Sequence, residues 1–304
     1  VGVQVPTWES GLIDLALAAE SRDYCDELQG VCAEGGVAIS ELSTHLQGQL
    51  VAVHPAYDEL FDGFAPEAVR GKPAARQAWA VAQLQLAAKA SRNLGLAAHA
   101  TFSGAFLWHT FYPWPQRPEG LVETGFAALA ERWLPILEVF KQEGVKFGLE
   151  VHPTEIAYDL VTARRALDAI DNHPNFGFNF DPSHFIHQFI DPVFFLDEFP
   201  DRIYHMHVKD SRVQINGRNS ILSSHLDFGD PRRGWDFVSP GRGDVKWDQI
   251  IRALNPIGYQ GPLSIEWEDT GMDRDWGAPE ALKMIPSQDF TPSSVAYDAA
   301  FSTE

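Results

Sequence analysis

Four short apolar runs in the second half of the chain each end in side chains that bind metals or move protons. The run at 146–152 delivers Glu150 and His152, and that at 176–181 delivers Asp181, with His184 three residues on. The run at 203–210 carries His205, His207, Lys209 and Asp210, and that at 262–268 ends in Glu266 and Glu268. Proline has no N–H for a sheet ladder and biases its predecessor toward extended backbone, so Asp181-Pro182 leaves a carboxylate where a strand stops. Parallel strands lie about 4.8 Å apart, so one inward residue from each of four neighbours can converge on a single cation. Three carboxylates and one imidazole suit Mn²⁺, with Mg²⁺, Co²⁺ or Zn²⁺ as alternatives, in a sphere that leaves positions for substrate oxygens. A closed structural zinc site would use thiolates instead. A cation polarising a carbonyl acidifies the neighbouring C–H, and carboxylates beside it can remove and return that proton. Each piece alone reads as an ordinary turn or a packed strand end; four in succession are explained together by the convergence a barrel imposes.

Positioning such a set requires parallel strands with helices between them. Extended runs at 1–6, 37–45, 96–103, 146–152, 176–181, 203–210 and 262–268 alternate with helical patterns at 23–34, 74–92, 121–143, 160–170, 191–199 and 247–254. No Gly-x-Gly-x-x-Gly follows a strand, so the alternation predicts an α/β chain of the (β/α)8 TIM-barrel type rather than a dinucleotide-binding sheet. Seven strands are one short of eight, and the sequence opens on a strand, so the first β/α unit is expected to be missing from this sequence. Residues 1–304 are expected to form one domain. Residues 44–62 read as a long loop, 211–243 as a lid, and a polar tail from about 270 as a wrap around the outside.

A chain of 304 residues with 45% hydrophobic composition can bury a core of that size. Its net charge of −19 repels phosphate backbones and anionic bilayers, which argues against nucleic acid or membrane as a partner. No run reaches the roughly 18 apolar residues of a membrane span. Cys25 and Cys32 fall two turns apart on a predicted helix, about 10 Å and beyond disulfide reach, so reduced cysteines and a cytoplasmic chain are expected.

The series Gly-Leu-Glu150-Val-His152, Phe-Asp181-Pro-Ser-His184, His205-Met-His207-Val-Lys209-Asp210, Gly-Arg-Gly-Asp244-Val-Lys-Trp247 and Gly258-Tyr-Gln-Gly-Pro-Leu-Ser-Ile-Glu266-Trp-Glu268 resembles the sugar phosphate isomerase/epimerase superfamily. These are xylose isomerase-like TIM barrels that include ketose 3-epimerases, inosose dehydratases and 3-keto-glycoside lyases. The resemblance is specific from 146 to 268. It places ligands on the family's fifth to eighth strands, here the fourth to seventh, in keeping with a missing first unit. It implies Glu150, Asp181, His207 and Glu266 as ligands of one divalent cation, Glu150 and Glu266 also as the acid/base pair, and His184 as a substrate contact. It sets His205 behind His207, and Arg212 one residue closer to His207 than the family's substrate arginine.

The residues themselves add others. His152 shares a strand face with Glu150 and is an extra candidate base. Lys209 alternates with His207 and either orients a hydroxyl or pairs with a barrel carboxylate. His45, at a strand's carboxyl end, and Trp108, in an aromatic loop, are candidate substrate contacts, and the lid offers His225, Asp230, Arg232, Arg233 and Trp235.

The expected function is a metal-dependent isomerase or epimerase that enolises a keto sugar. The alternative is a lyase cleaving 3-keto-glycosides by β-elimination, including C-glycoside deglycosidase with a small β partner subunit, or a dehydratase. The resemblance further implies a sugar or glycoside substrate and a homo-oligomer. Endonuclease IV shares the barrel, but uses three zinc ions and more histidines, and a charge of −19 offers DNA no footprint.

Overall fold

The computed structural model describes residues 1–295. Its strands are β1 (Gly2–Pro6), β2 (Ala38–Ser43), β3 (Ala98–Thr101), β4 (Lys146–Glu150), β5 (Phe176–Phe180), β6 (Ile203–Val208), β7 (Asp210–Val213), β8 (Trp235–Val238) and β9 (Leu263–Ile265). Its helices are α1 (Leu15–Glu20), α2 (Arg22–Glu34), α3 (His45–Gly48), α4 (Asp58–Phe61), α5 (Pro73–Asn93), α6 (Leu121–Gln142), α7 (Leu160–Ala169), α8 (Ser183–Ile186), α9 (Val193–Glu198), α10 (Trp247–Leu254) and α11 (Arg274–Gln288). Seven strands pair in parallel in the order β1-β2-β3-β4-β5-β6-β9 as a nearly closed barrel, while β7 and β8 form a separate antiparallel hairpin. The sheet thus holds the seven strands read from the sequence, and no eighth lies among the described residues. Between the edge strands β1 and β9 is a cavity of about 570 Å³ lined by Gln4, Leu263 and Ile265.

Strand alternation decides what the barrel interior receives. On β5, Phe178 packs against Phe195 and Phe199 at the helix layer, 5.0 and 5.2 Å between ring centroids. Asn179 therefore points the other way, into the barrel, and Asp181 follows it just past the strand end. On β4, Phe147 packs on Trp133 and Phe140 of α6, which turns Glu150 inward. Each fully buried aromatic of this layer contributes roughly 2–3 kcal/mol of transfer energy, enough to fix the register of the polar face.

The structure corrects several sequence expectations. Residues 44–62 are a succession of tight helical turns, α3 and α4 among them, each too short to show a helical period. Buried Arg76 ties them down by donating to the Asp58 carbonyl and to the carboxylates of Asp58 and Asp62. Gly48 ends α3 hard against β3: a Cβ there would meet the Thr101 hydroxyl and the Phe102 carbonyl. The region from about 270 is not a wrapping tail, because α11 buries Gly277, Ala281 and Ile285; Pro279 and Pro286 inside it hid the helix. Residues 296–304 of that expected tail lie outside the described residues. The segment 211–243, expected as a lid, is largely spanned by the hairpin β7–β8, paired from Asp210↔Val238 to Val213↔Trp235. Cys25 is buried, Cys32 half-buried, and both are free. Among the described residues, no helix is long and apolar enough to cross a membrane.

Candidate active site

Four strand ends deliver one ligand-type side chain each to the barrel mouth. Ligand atoms of Glu150 (β4), Asp181 (after β5), His207 (β6) and Glu266 (after β9) all lie within 4.8 Å of one another. His207 Nδ1 is 2.7 Å from Glu266 Oε2 and 3.1 Å from Glu150 Oε2, while its Nε2 lies 3.2 Å from Gln4 Oε1. The ring is thereby turned so that one nitrogen faces the carboxylates and the other a fixed amide, the arrangement that orients ligating histidines.

Glu150 is the centre of the network. It lies 2.8 Å from His45 Nε2 and 3.1 Å from His184 Nε2, and accepts a hydrogen bond of 3.0 Å from Asn179 Nδ2. Burial raises its pKa, but His207, His184 and His45 outweigh burial and hold the carboxyl well below its ordinary value. Burial likewise pushes Glu266 up, and the Lys209 ammonium and His207 bring it below the ordinary range. His184 is pulled down by burial, yet the Asp181 and Glu150 carboxylates push it up to about 9. Lys209, buried, bridges Glu266 at 2.8 Å and Glu268 at 2.9 Å, the pairing with carboxylates that is one of the two expectations for it.

A divalent cation fits this cage. Asp181 Oδ2 and Glu266 Oε2 are buried with imidazole nitrogens beside them, His184 Nε2 at 3.2 Å and His207 Nδ1 at 2.7 Å, and three carboxylates with one imidazole form an oxygen-rich donor set. His45, Glu150 and His207 form a second overlapping cluster of ligand atoms.

The structure brings Glu150, Asp181, His207, Glu266, His184, Lys209 and His45 together. His152 reaches the mouth beside His184, 4.1 Å between ring centroids, where burial and then His184 hold it well below its ordinary pKa as a neutral ring. Trp108 stands further out, stacked on Phe111 and donating its indole N–H to the Glu155 carbonyl. Arg212 is not brought to the site: it is exposed on β7, paired opposite Asp236. His205 sits below His207, with its Nδ1 against the Glu41 carboxylate and its Nε2 3.3 Å from Gln4 Nε2. Asn179, Gln4 and Glu41 were not singled out from sequence. Asn179 shares the strand parity of Asp181, and Gln4 interrupts Val3 and Val5, which are the signals that mark them.

Fold and site together define an α/β barrel with an acidic, metal-type cage at the carboxyl ends of its strands. The sequence profile of the xylose isomerase-like TIM barrels matches residues 2–288, and the chain belongs to that family. An uncharacterised protein of Bacillus subtilis, YfiH, is 30% identical over 164 residues, 51% of this chain and 52% of that protein. An inosose dehydratase of Mesomycoplasma hyopneumoniae is 32% identical over 130 residues, 42% of each chain. The chain thus spans about half the length, or less, of the curated relatives it matches. The crystal structure of 3-keto-D-glucoside 4-epimerase, YcjR, from E. coli superposes with a TM-score of 0.61 at 14% identity, covering 90% of this chain and 88% of that one. At that identity the common ground is the fold.

Proposed function

We propose that the protein is a divalent-metal-dependent isomerase or epimerase that removes the proton beside the carbonyl of a keto sugar and returns it through an enediolate. The observation that carries this reading is the cage itself, four ligand-type groups within 4.8 Å whose buried Asp181 Oδ2 and Glu266 Oε2 face imidazole nitrogens where a cation can sit. Glu150, Asp181, His207 and Glu266 would hold the cation, which when bound polarises the carbonyl and acidifies the adjacent C–H.

The chain's own residues do the rest. Glu150 and Glu266 enter from β4 and the end of β9, with β5 and β6 between them, so two carboxylates flank the substrate position. One takes the proton and the other supplies it. Glu266, about a third exposed, faces the open mouth, and Lys209 keeps it ionised. His184 Nε2 lies on the Glu150 and Asp181 carboxylates, and once those oxygens hold a cation its N–H is left for a substrate oxygen.

A second reading is favoured by neutral His152 at the rim: the same proton removal followed by loss of a β-substituent, as a lyase or dehydratase. The leaving group then departs with the bond's electron pair and collects a proton from water or from the carboxyl group that took the α-proton. A relative named inosose dehydratase supports keeping this outcome open. A cytoplasmic homo-oligomer, or a hetero-oligomer with a small β subunit, completes the proposal.

Free ketoses and 3-keto-glycosides are incubated side by side in D2O with Mn²⁺ or with EDTA. Deuterium in an otherwise intact product supports the isomerase, and release of water or an aglycone supports the lyase. Glu150→Gln is expected to lower turnover by about 10²–10⁴-fold in either case. Unchanged turnover in that variant, or in EDTA, overturns both readings.

A further inference from the structure

Beside the cage lies another cavity, of about 550 Å³, between the aromatic loop after β3 and the lid. Trp108 and Phe111 line one side, and Leu222, Leu226 and Trp235 of the lid line the other. Pro153 and His187 form the end next to the cage, for Pro153 follows His152 and the His187 ring is 6.2 Å from that of His184.

The hairpin strand β8 joins the two spaces. Phe237 packs 5.6 Å from the His184 ring and beneath the Lys209 ammonium at 4.4 Å. Two residues earlier on the same face, Trp235 lies flat on His187, 3.8 Å between centroids and 8° between planes. Whatever fixes the cage from the lid side therefore also fixes this aromatic wall.

The cavity's chemistry differs from that of the cage. Its Arg233 donates to the carbonyls of Leu226 and Trp235 and lays its guanidinium over the Phe228 and Trp235 rings, so its cation braces the aromatic wall. His187, pushed down to about 3 by burial and by His184, is a neutral ring at pH 7. Phe111, Phe189 and Leu222 line the space yet are 50%, 70% and 64% exposed, a concentration of unburied apolar surface at one opening. Gln188, Ser223 and His225 also line the space and can meet one or two polar substituents, but a free hexulose, hydroxylated all round, would set most of its hydroxyls against the rings. A planar apolar group fits them face on.

We propose that this cavity is an aglycone subsite, so that the substrate is a glycoside whose sugar lies over the cage while a planar aromatic aglycone lies between Trp108 and Trp235. The sugar half of this inference rests on the keto-sugar reading above; the aromatic half stands on the cavity.

The test uses titration calorimetry on the EDTA-treated protein with 4-nitrophenyl β-D-glucopyranoside and methyl β-D-glucopyranoside. The aryl glucoside is expected to bind at least about ten-fold more tightly than the methyl glucoside. Trp235→Ala, and Leu222→Arg at an exposed lid position where folding is not at risk, are each expected to shrink that preference to about two-fold or less. Equal affinities in the parent protein, no detectable aryl binding, or a preference that survives both substitutions overturns the subsite. Because neither metal nor chemistry enters the measurement, failure of the proton-transfer reading leaves an aryl preference standing. Turnover of free ketoses without an aryl preference has the converse meaning.

Discussion

His207 stands where a proton and the proposed divalent cation would compete. Burial lowers its pKa, but the Glu150 and Glu266 carboxylates raise it well above the ordinary value, so an imidazolium can occupy the cation's place between them. A ligating imidazole must be neutral, so metal binding expels that proton. Mn²⁺ affinity is therefore expected to rise about ten-fold per pH unit between pH 6 and 8, read by calorimetry in buffers of different ionisation heat. A pH-independent affinity with no proton release would remove His207 from the ligand set. The four cage residues were legible because carboxylate and imidazole types recur at four successive strand ends. Asn179 and Gln4, which orient Glu150 and His207, were not, because an amide on a strand carries no chemical signature until its neighbours across the sheet are known.

At the level of elements, β3 carries a buried histidine that ties folding to pH. His99 lies between the Thr44 hydroxyl at 2.7 Å and the Ser91 hydroxyl at 3.3 Å, and burial, with His45 and His205 nearby, pushes its pKa down from 6.5 to about 3. The unfolded chain binds this proton more tightly, so the associated stability is present above pH 6.5 and is lost as pH falls toward 3. The slope is about 1.4 kcal/mol per pH unit for one such proton. Urea unfolding in EDTA at pH 5, 6 and 7 is expected to show a shallower slope in His99→Gln, by about one proton; identical slopes would count against it. The β7–β8 hairpin depends on Asp210, which accepts from Gly241 N, Gly243 N, Val245 N and Trp247 Nε1. A Cβ on Gly243 would strike that carboxylate and the Ser211 carbonyl, so Gly243→Ala is expected to cost about 1–3 kcal/mol and to speed hydrogen exchange across β7 and β8. Unchanged exchange there would mean that the turn does not hold the hairpin. Long helices and buried strands were readable from their periods. The four-residue strands of the lid, the single turns after β2 and the proline-bearing α11 were not, since each is set by tertiary partners rather than by a local pattern.

For the whole molecule, an acidic surface and an acidic cage make two electrostatic effects that salt moves in opposite directions. The chain carries −19, and its self-repulsion weakens the folded state, so raising salt should stabilise the metal-stripped protein. The same field would draw the proposed divalent cation to three carboxylates at the barrel mouth, and screening, with a Debye length of about 10 Å at 0.1 M, would weaken that attraction. Metal binding to the folded chain adds about 2.7 kcal/mol at a hundred times Kd, a rise in Tm of about 5 °C for a chain of this size. Melting curves at low and high salt, with Mn²⁺ at a fixed concentration or with EDTA, are expected to show the EDTA sample gaining Tm as salt rises while the increment from Mn²⁺ shrinks. Glu150→Gln should lose most of that increment at both salts, because it removes a charge that only the cage uses. If the variant keeps the full increment, Mn²⁺ is acting on the diffuse acidic surface, and the converging carboxylates are not where it binds.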